Sequence, residues 1–392
     1  MSDKADIRIV EEAPQEEKKK PSVKKRWLLF GAVFGLVLVL LVWFLLSSTT
    51  SLDGVKRFFR YFGKDEAQYG RLQFESYGTC SYALADGRFA VATQGGATLF
   101  AEDGSALCRV QGGFSAPALK SAGSYLLLYD IGGTRLVLLD SEGTTLFDTT
   151  ASGEIYDAEL TPEGYLSVLC AGTDCRATLT VYTKNGVTPY IRNVKNHYLN
   201  TCAVSPDGKY AAVSTLGQQD ISFSATVQLL KTDQEELAAE LSLGTQMIYD
   251  LRFLTKDRLC AVGEQRVVFF ETDGTVLCEY EEENGVLTGY SFDGDGFITL
   301  VYDQYDTGGG SRLVTLNDEG KELGSIRISR SPTHLSACGG YVCILNEQEL
   351  SIYDRSLTLK SKTENEGCLA AFVRSDGTAL CVSSGEAVLY IP

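Results

Sequence analysis

The chain has 392 residues, 44% hydrophobic and 22% charged, with 39 Gly and only 8 Pro, the balance of an ordered, turn-rich protein and not a disordered one. Two His, at 197 and 334, and two Met leave little material for histidine-based metal centres or histidine-dependent nucleophilic triads. A net charge of −16 argues against nucleic acid, whose phosphates need a basic face.

Residues 1–26 hold 8 Lys and Arg against 6 Asp and Glu, and read as a disordered cytoplasmic tail. From Trp27 to Leu46 the run WLLFGAVFGLVLVLLVWFLL carries no charge, and twenty helical residues span a ~30 Å hydrocarbon core. A single membrane-spanning helix is expected, with Trp27 and Trp43 at its interfaces. The run is longer than the apolar stretch of a cleaved signal peptide, which favours an uncleaved anchor. Lys18, Lys19, Lys20, Lys24, Lys25 and Arg26 crowd its N-terminal flank, against Lys56, Arg57, Arg60 and Lys64 beyond it. That bias places the tail in the cytoplasm and the remainder outside the plasma membrane.

Residues 47–70 form a juxtamembrane linker. Val55, Phe58, Phe59 and Phe62 fall at i, i+3, i+4 and i+7, with the basic residues mostly on the other face. An interfacial helix with Phe58, Phe59 and Phe62 among headgroups, or a helix packed under the following domain, both fit that pattern.

Residues 71–392 repeat. VSPDGKYAAVS at 204–214 is one of eight turn-plus-strand units, the others lying at 85–93, 121–130, 162–170, 256–262, 294–302, 338–345 and 375–383. A second family of turns interleaves from 99, 138, 181, 229, 269, 315 and 352, at spacings of 37 to 48 residues. Four short strands in roughly 40–45 residues make a propeller blade. The fold class expected is all-β: an eight-bladed β-propeller of four-stranded antiparallel blades, or seven-bladed if the repeat near 256 or 340 is overcounted. The last unit lacks an outer strand, which RLQFES at 71–76 can supply to close the ring.

On these residues the domain resembles the WD40-like and quinoprotein-like propeller superfamily. The plan of tail, anchor and propeller resembles uncharacterised envelope proteins of Gram-positive bacteria. The resemblance implies the fold and a binding role. It departs from better-understood members in having no Trp-Asp strand ending and no Trp beyond the anchor, which removes the tryptophan docking motif of the quinone enzymes. No cofactor is expected.

The eleven Cys all follow residue 79, with no CxxC. Cys170 with Cys175 and Cys338 with Cys343 each flank a hairpin turn, which admits a cross-strand disulfide. Against this, Cys108 and Cys278 share a repeat position in DGSALC and DGTVLC, as small buried core residues would. IYDAEL and IYDLRF place Asp157 and Asp250 at matched positions on expected innermost strands. They are the catalytic candidates for acid/base work on a glycan, or else inner-strand hydrogen-bond acceptors. DGDG at 293–296 and DQYDTGGG at 303–310 hint at Ca²⁺ loops without the alternating ligand pattern, so no metal site is assigned.

Two functions follow. The first is a non-enzymatic binding or scaffold module for a protein or cell-wall ligand, with contacts from the insertions 217–224 and 303–311 through Gln218, Asp220, Asp303, Tyr305 and Asp306. The alternative is a hydrolase or lyase acting on envelope glycans through Asp157 and Asp250.

Overall fold

The SPDG hairpin is built from its own side chains. Asp207 accepts hydrogen bonds from the Ser205 hydroxyl (2.8 Å) and the Lys209 amide (3.2 Å), and the Gly208 amide donates to the Ser205 carbonyl (2.9 Å). Gly208 sits at φ +70°, and a Cβ there would lie 2.3 Å from the ring of Tyr165 on the neighbouring hairpin. Glycine is therefore required by the backbone and by packing together. The TPEGY turn repeats the arrangement, Thr161 Oγ1 accepting from the Tyr165 amide (3.1 Å).

In this computed structural model, which describes residues 34–36, 54, 57, 60–62, 71–219, 222–283, 285–305 and 310–392, such hairpins assemble into eight four-stranded antiparallel sheets. The first seven blades cover residues 81–111, 117–150, 155–194, 198–244, 248–281, 285–328 and 334–364, each laid down in chain order from inner to outer strand. The eighth takes Ala370–Val373, Ala379–Ser383 and Glu386–Tyr390 from the C-terminal side, and its outer strand is Leu72–Gln73, paired as Leu72↔Ala387 and Gln73↔Glu386. The chain is an all-β, eight-bladed propeller.

Inner strands of neighbouring blades run side by side. His334 Nδ1 accepts from the Ala371 amide (3.4 Å) and Ser336 Oγ from the Val373 amide (2.9 Å), so the contacts from blade 7 to blade 8 advance together and the strands are parallel. All inner strands then begin at one end of the ring, here the entry end, with the blade-to-blade links. The Asp-Gly-type turns crowd the opposite, turn end.

Eight apolar clusters fill the seams, one between each pair of neighbouring blades, including blades 8 and 1. All eight pairs are also joined by the chain, residues 74–80 linking the outer strand of blade 8 to the inner strand of blade 1. The seam between blades 8 and 1 is rich in aromatic rings: Phe89 lies 5.8 Å from Phe74, 5.9 Å from Tyr82, and 6.4 Å from both Phe100 and Phe372. Buried rings of this size supply large apolar area beside blade 8, where the two ends of the propeller chain are joined by the pairing of Leu72–Gln73 with Glu386–Tyr390.

The chain separates into two units, Met1–Arg60 and Tyr61–Pro392. Nearly all of the expected span 27–46, with Trp27 and Trp43, lies outside the described residues, as do Phe58 and Phe59. Among the described residues no helix is long and apolar enough to cross a membrane. Phe62 is exposed, while its neighbour Tyr61 donates to Asp376 Oδ2 (3.2 Å) in a blade 8 turn at the turn end.

Three sequence expectations need correction. Residues 217–219 and 222–224 are not loop: they extend the middle hairpin of blade 4 through the pairs Gly217↔Ser224, Gln218↔Phe223 and Gln219↔Ser222. The cross-strand disulfides that the hairpin turns admit are absent. Cys338 pairs with Tyr341 and Cys343 with Ser336, while the Cys175 thiol turns to the Ala177 carbonyl (3.3 Å), and all eleven cysteines are free thiols. Cys108 and Cys278 are equivalent but only half-buried, because both sit on outermost strands, opposite Leu99 and Phe269.

Candidate functional site

The matched motifs IYDAEL and IYDLRF form the inner strands of blades 3 and 5, Ile155–Leu160 and Ile248–Phe253. Each has a register shift between its Ile and its Asp, so the intervening Tyr is the extra residue of a bulge. The result is the same twice: Ile155 and Ile248 buried, Tyr156 and Tyr249 exposed at the entry end, and Asp157 and Asp250 against the neighbouring inner strands.

The two Asp differ in their partners. Asp157 Oδ2 accepts from the Thr201 hydroxyl (2.8 Å) and the Cys202 amide (3.1 Å) of blade 4, and Oδ1 from Lys120 Nζ of blade 2 (3.3 Å). Burial alone would raise this carboxyl, but the Lys120 charge and those hydrogen bonds hold it below its ordinary range. Asp250 accepts from the Leu251 amide (2.8 Å) and interacts with the Tyr290 side chain, and among the described residues no cation is ion-paired to it. Burial pushes it up to about 6, against the partial relief of Lys120 and Arg252.

Between them stands Glu159, 2% exposed, which takes Lys120 Nζ on one oxygen (2.8 Å) and Arg252 on the other (2.7 Å). Arg252 also lies 5.3 Å from the centre of the Phe292 ring. Asp293 of blade 6, its carboxyl raised by burial, lies within the field of Arg252. Lys120, Glu159 and Arg252 therefore bind blades 2, 3 and 5 into one ion network around the channel. Sequence reasoning missed all three. Their signal was a lone Lys in PALKSA, and opposite charges two residues after each matched Asp.

The ligand-binding candidates scatter. Gln218 lies in the blade 4 hairpin, and Asp220 and Asp306 are outside the described residues. Asp303 accepts from the Ser311 hydroxyl across the blade 6 hairpin (2.5 Å), and Tyr305 is 77% exposed beside it. The exposed tyrosines are not spread evenly among the described residues. Tyr77, Tyr156, Tyr198, Tyr249, Tyr305 and Leu369 all stand at the entry end, with Arg176 stacked 4.2 Å over Tyr198. The opposite end carries Val187 in a turn, and Leu237, Val276 and Leu359 at the starts of outer strands, but no exposed tyrosine among the described residues. Among the described residues no His, Cys, Asp and Glu are grouped to hold a metal ion.

A model described as a family of unknown function, DUF5711, matches residues 66–385. The chain belongs to that family. No curated protein matches this DUF5711 chain. Among solved structures it is similar to the C-terminal WD40 domain of Sif2, at 11% identity and TM-score 0.57, covering 83% of this chain and 98% of that one. It is also similar to a eukaryotic initiation factor, at 14% identity and TM-score 0.51, covering 81% and 89%. At such identities the likeness of the DUF5711 chain to these proteins is one of fold, a WD40-like propeller.

Proposed function

We propose that the protein is a non-enzymatic binding or scaffold module of the cell envelope. Residues 27–46 anchor it in the plasma membrane with the N-terminus cytoplasmic and the propeller outside, and the entry end of the ring recognises a protein or cell-wall ligand. The uncharged twenty-residue run and the basic cluster before it support the anchor and its orientation. The observation that carries the binding role is the gathering of the exposed tyrosines, Tyr77, Tyr156, Tyr198, Tyr249 and Tyr305, at one end of the ring, where amphipathic rings supply contact area at low entropic cost. The glycan hydrolase alternative draws no comparable support, because Asp157 is occupied by Lys120, Thr201 and a backbone amide.

Photo-crosslinking in the full-length protein tests this. Crosslinkers at 156, 198 and 249 should capture a discrete species, and crosslinkers at Asp273 and Asp318, in turns of the opposite end, should not. Capture confined to the second set would overturn the assignment of the binding face. Protease added to intact cells should digest the propeller and spare the tail; a protected propeller would overturn the orientation.

A further inference from the structure

Cys368 lies in the segment that enters blade 8, held by a local clamp: its amide donates to Asn365 Oδ1 (2.7 Å) and its carbonyl accepts from Asn365 Nδ2 (3.3 Å). The Leu369 amide then donates to the Val382 carbonyl (2.7 Å), although Ala370 is the register partner of Val382. Two residues thus face one, and the chain bends at the start of the inner strand. Cys381, on the second strand of blade 8 opposite Ala371, packs with Cys368 on the side facing blade 7, where Cys343 is fully buried. The Cys381 and Cys368 thiols interact there. Both cysteines are half-buried.

We propose that Cys368 and Cys381 are a disulfide-forming pair, a thiol modification site in the ring-closing blade whose co-reactant is a disulfide. The interaction with Cys381 holds the Cys368 thiol below its ordinary range, and the same interaction, with burial, pushes the Cys381 thiol up, so Cys368 is the attacking sulfur. Its thiolate displaces one thiolate from the co-reactant and forms a mixed disulfide. Cys381, giving up its proton, then attacks the Cys368 sulfur and expels the second thiolate. The protein loses two electrons and two protons, and the co-reactant disulfide becomes two thiols. The new bond staples the entry segment of blade 8 to its second strand, on the side facing blade 7.

Arg374 lies between the two cysteines, so trypsin places them on separate peptides, 363–374 and 375–392. Full-length protein incubated with oxidised glutathione, alkylated with N-ethylmaleimide and digested without reductant should yield these two peptides joined, lighter by two hydrogens than their sum. The thermal midpoint should rise by a few degrees and fall back with reductant. In Cys381→Ser, Cys368 should instead accumulate as its glutathione adduct. The proposal is overturned if both cysteines end alkylated or separately glutathionylated in the parent, or if Cys368 links to Cys343.

Discussion

The channel wall has two halves that meet one need differently. In blades 7, 8 and 1 the inner strands HLSAC, AAFV and SYALA contain no carboxylate and no Lys or Arg. Amides of the next blade are capped there by neutral groups: Ser81 Oγ takes the Leu119 amide (3.0 Å), Ser336 Oγ the Val373 amide and His334 Nδ1 the Ala371 amide, with His334 kept uncharged by burial. In blades 2 to 6 the cap at the Cys202 amide is the carboxylate of Asp157, and a buried carboxylate brings cations with it. A hydroxyl satisfies a donor at little electrostatic cost. A carboxylate does so only as part of a network, so the second half of the wall is the more fragile.

The sharpest way to break this contrast is Glu159→Ala. It leaves Arg252 buried without its carboxylate and Lys120 with one partner fewer, and should cost about 3–5 kcal/mol in denaturant unfolding. A loss under about 1 kcal/mol would mean that the network contributes little.

Asp250→Asn should act the other way. The folded carboxyl titrates at about 6 and the unfolded one near 3.9, so between those values the folded state holds more protons and stability falls as pH rises. Parent and variant should match near pH 4. By pH 7 the variant should be the more stable, by up to about 3 kcal/mol. Thermal melts across that range would settle it, and a variant that gained nothing at pH 7 would contradict the burial argument.

Asp157→Asn reverses the sign. Its folded carboxyl is held low, so its contribution is present above the unfolded value and is lost as pH falls through the depressed folded one. The substitution should cost about 1–3 kcal/mol at pH 7 and progressively less in acid. Smallest is Ser336→Ala in the neutral half, about 1 kcal/mol with no pH dependence between 4 and 7, because the cap it removes carries no charge.

Within the chain, the local features were the legible ones. Asp-Gly turns, alternating strands and their spacing are short-range, and they reveal hairpins, blades and blade number. Cys108 and Cys278 were recognisable as equivalents for the same reason, although being outermost they are only half-buried. The tips of blades 4 and 6 were harder, because Gly217–Ser224 contains no residue that marks where pairing ends, and the strands simply continue.

What the sequence determined by itself is the repeat: eight units whose turns are made by neighbouring residues and whose strands alternate. What only the tertiary structure decided is which side chains meet. Lys120 reaches Asp157 and Glu159 from the preceding blade, and Arg252 reaches Glu159 from two blades further on. Cys368 meets Cys381 across a bulge, and Tyr77 shares an end of the ring with Tyr305. Those encounters depend on curvature accumulated over the whole ring and on bulges that re-aim single residues, and no spacing along the chain encodes either.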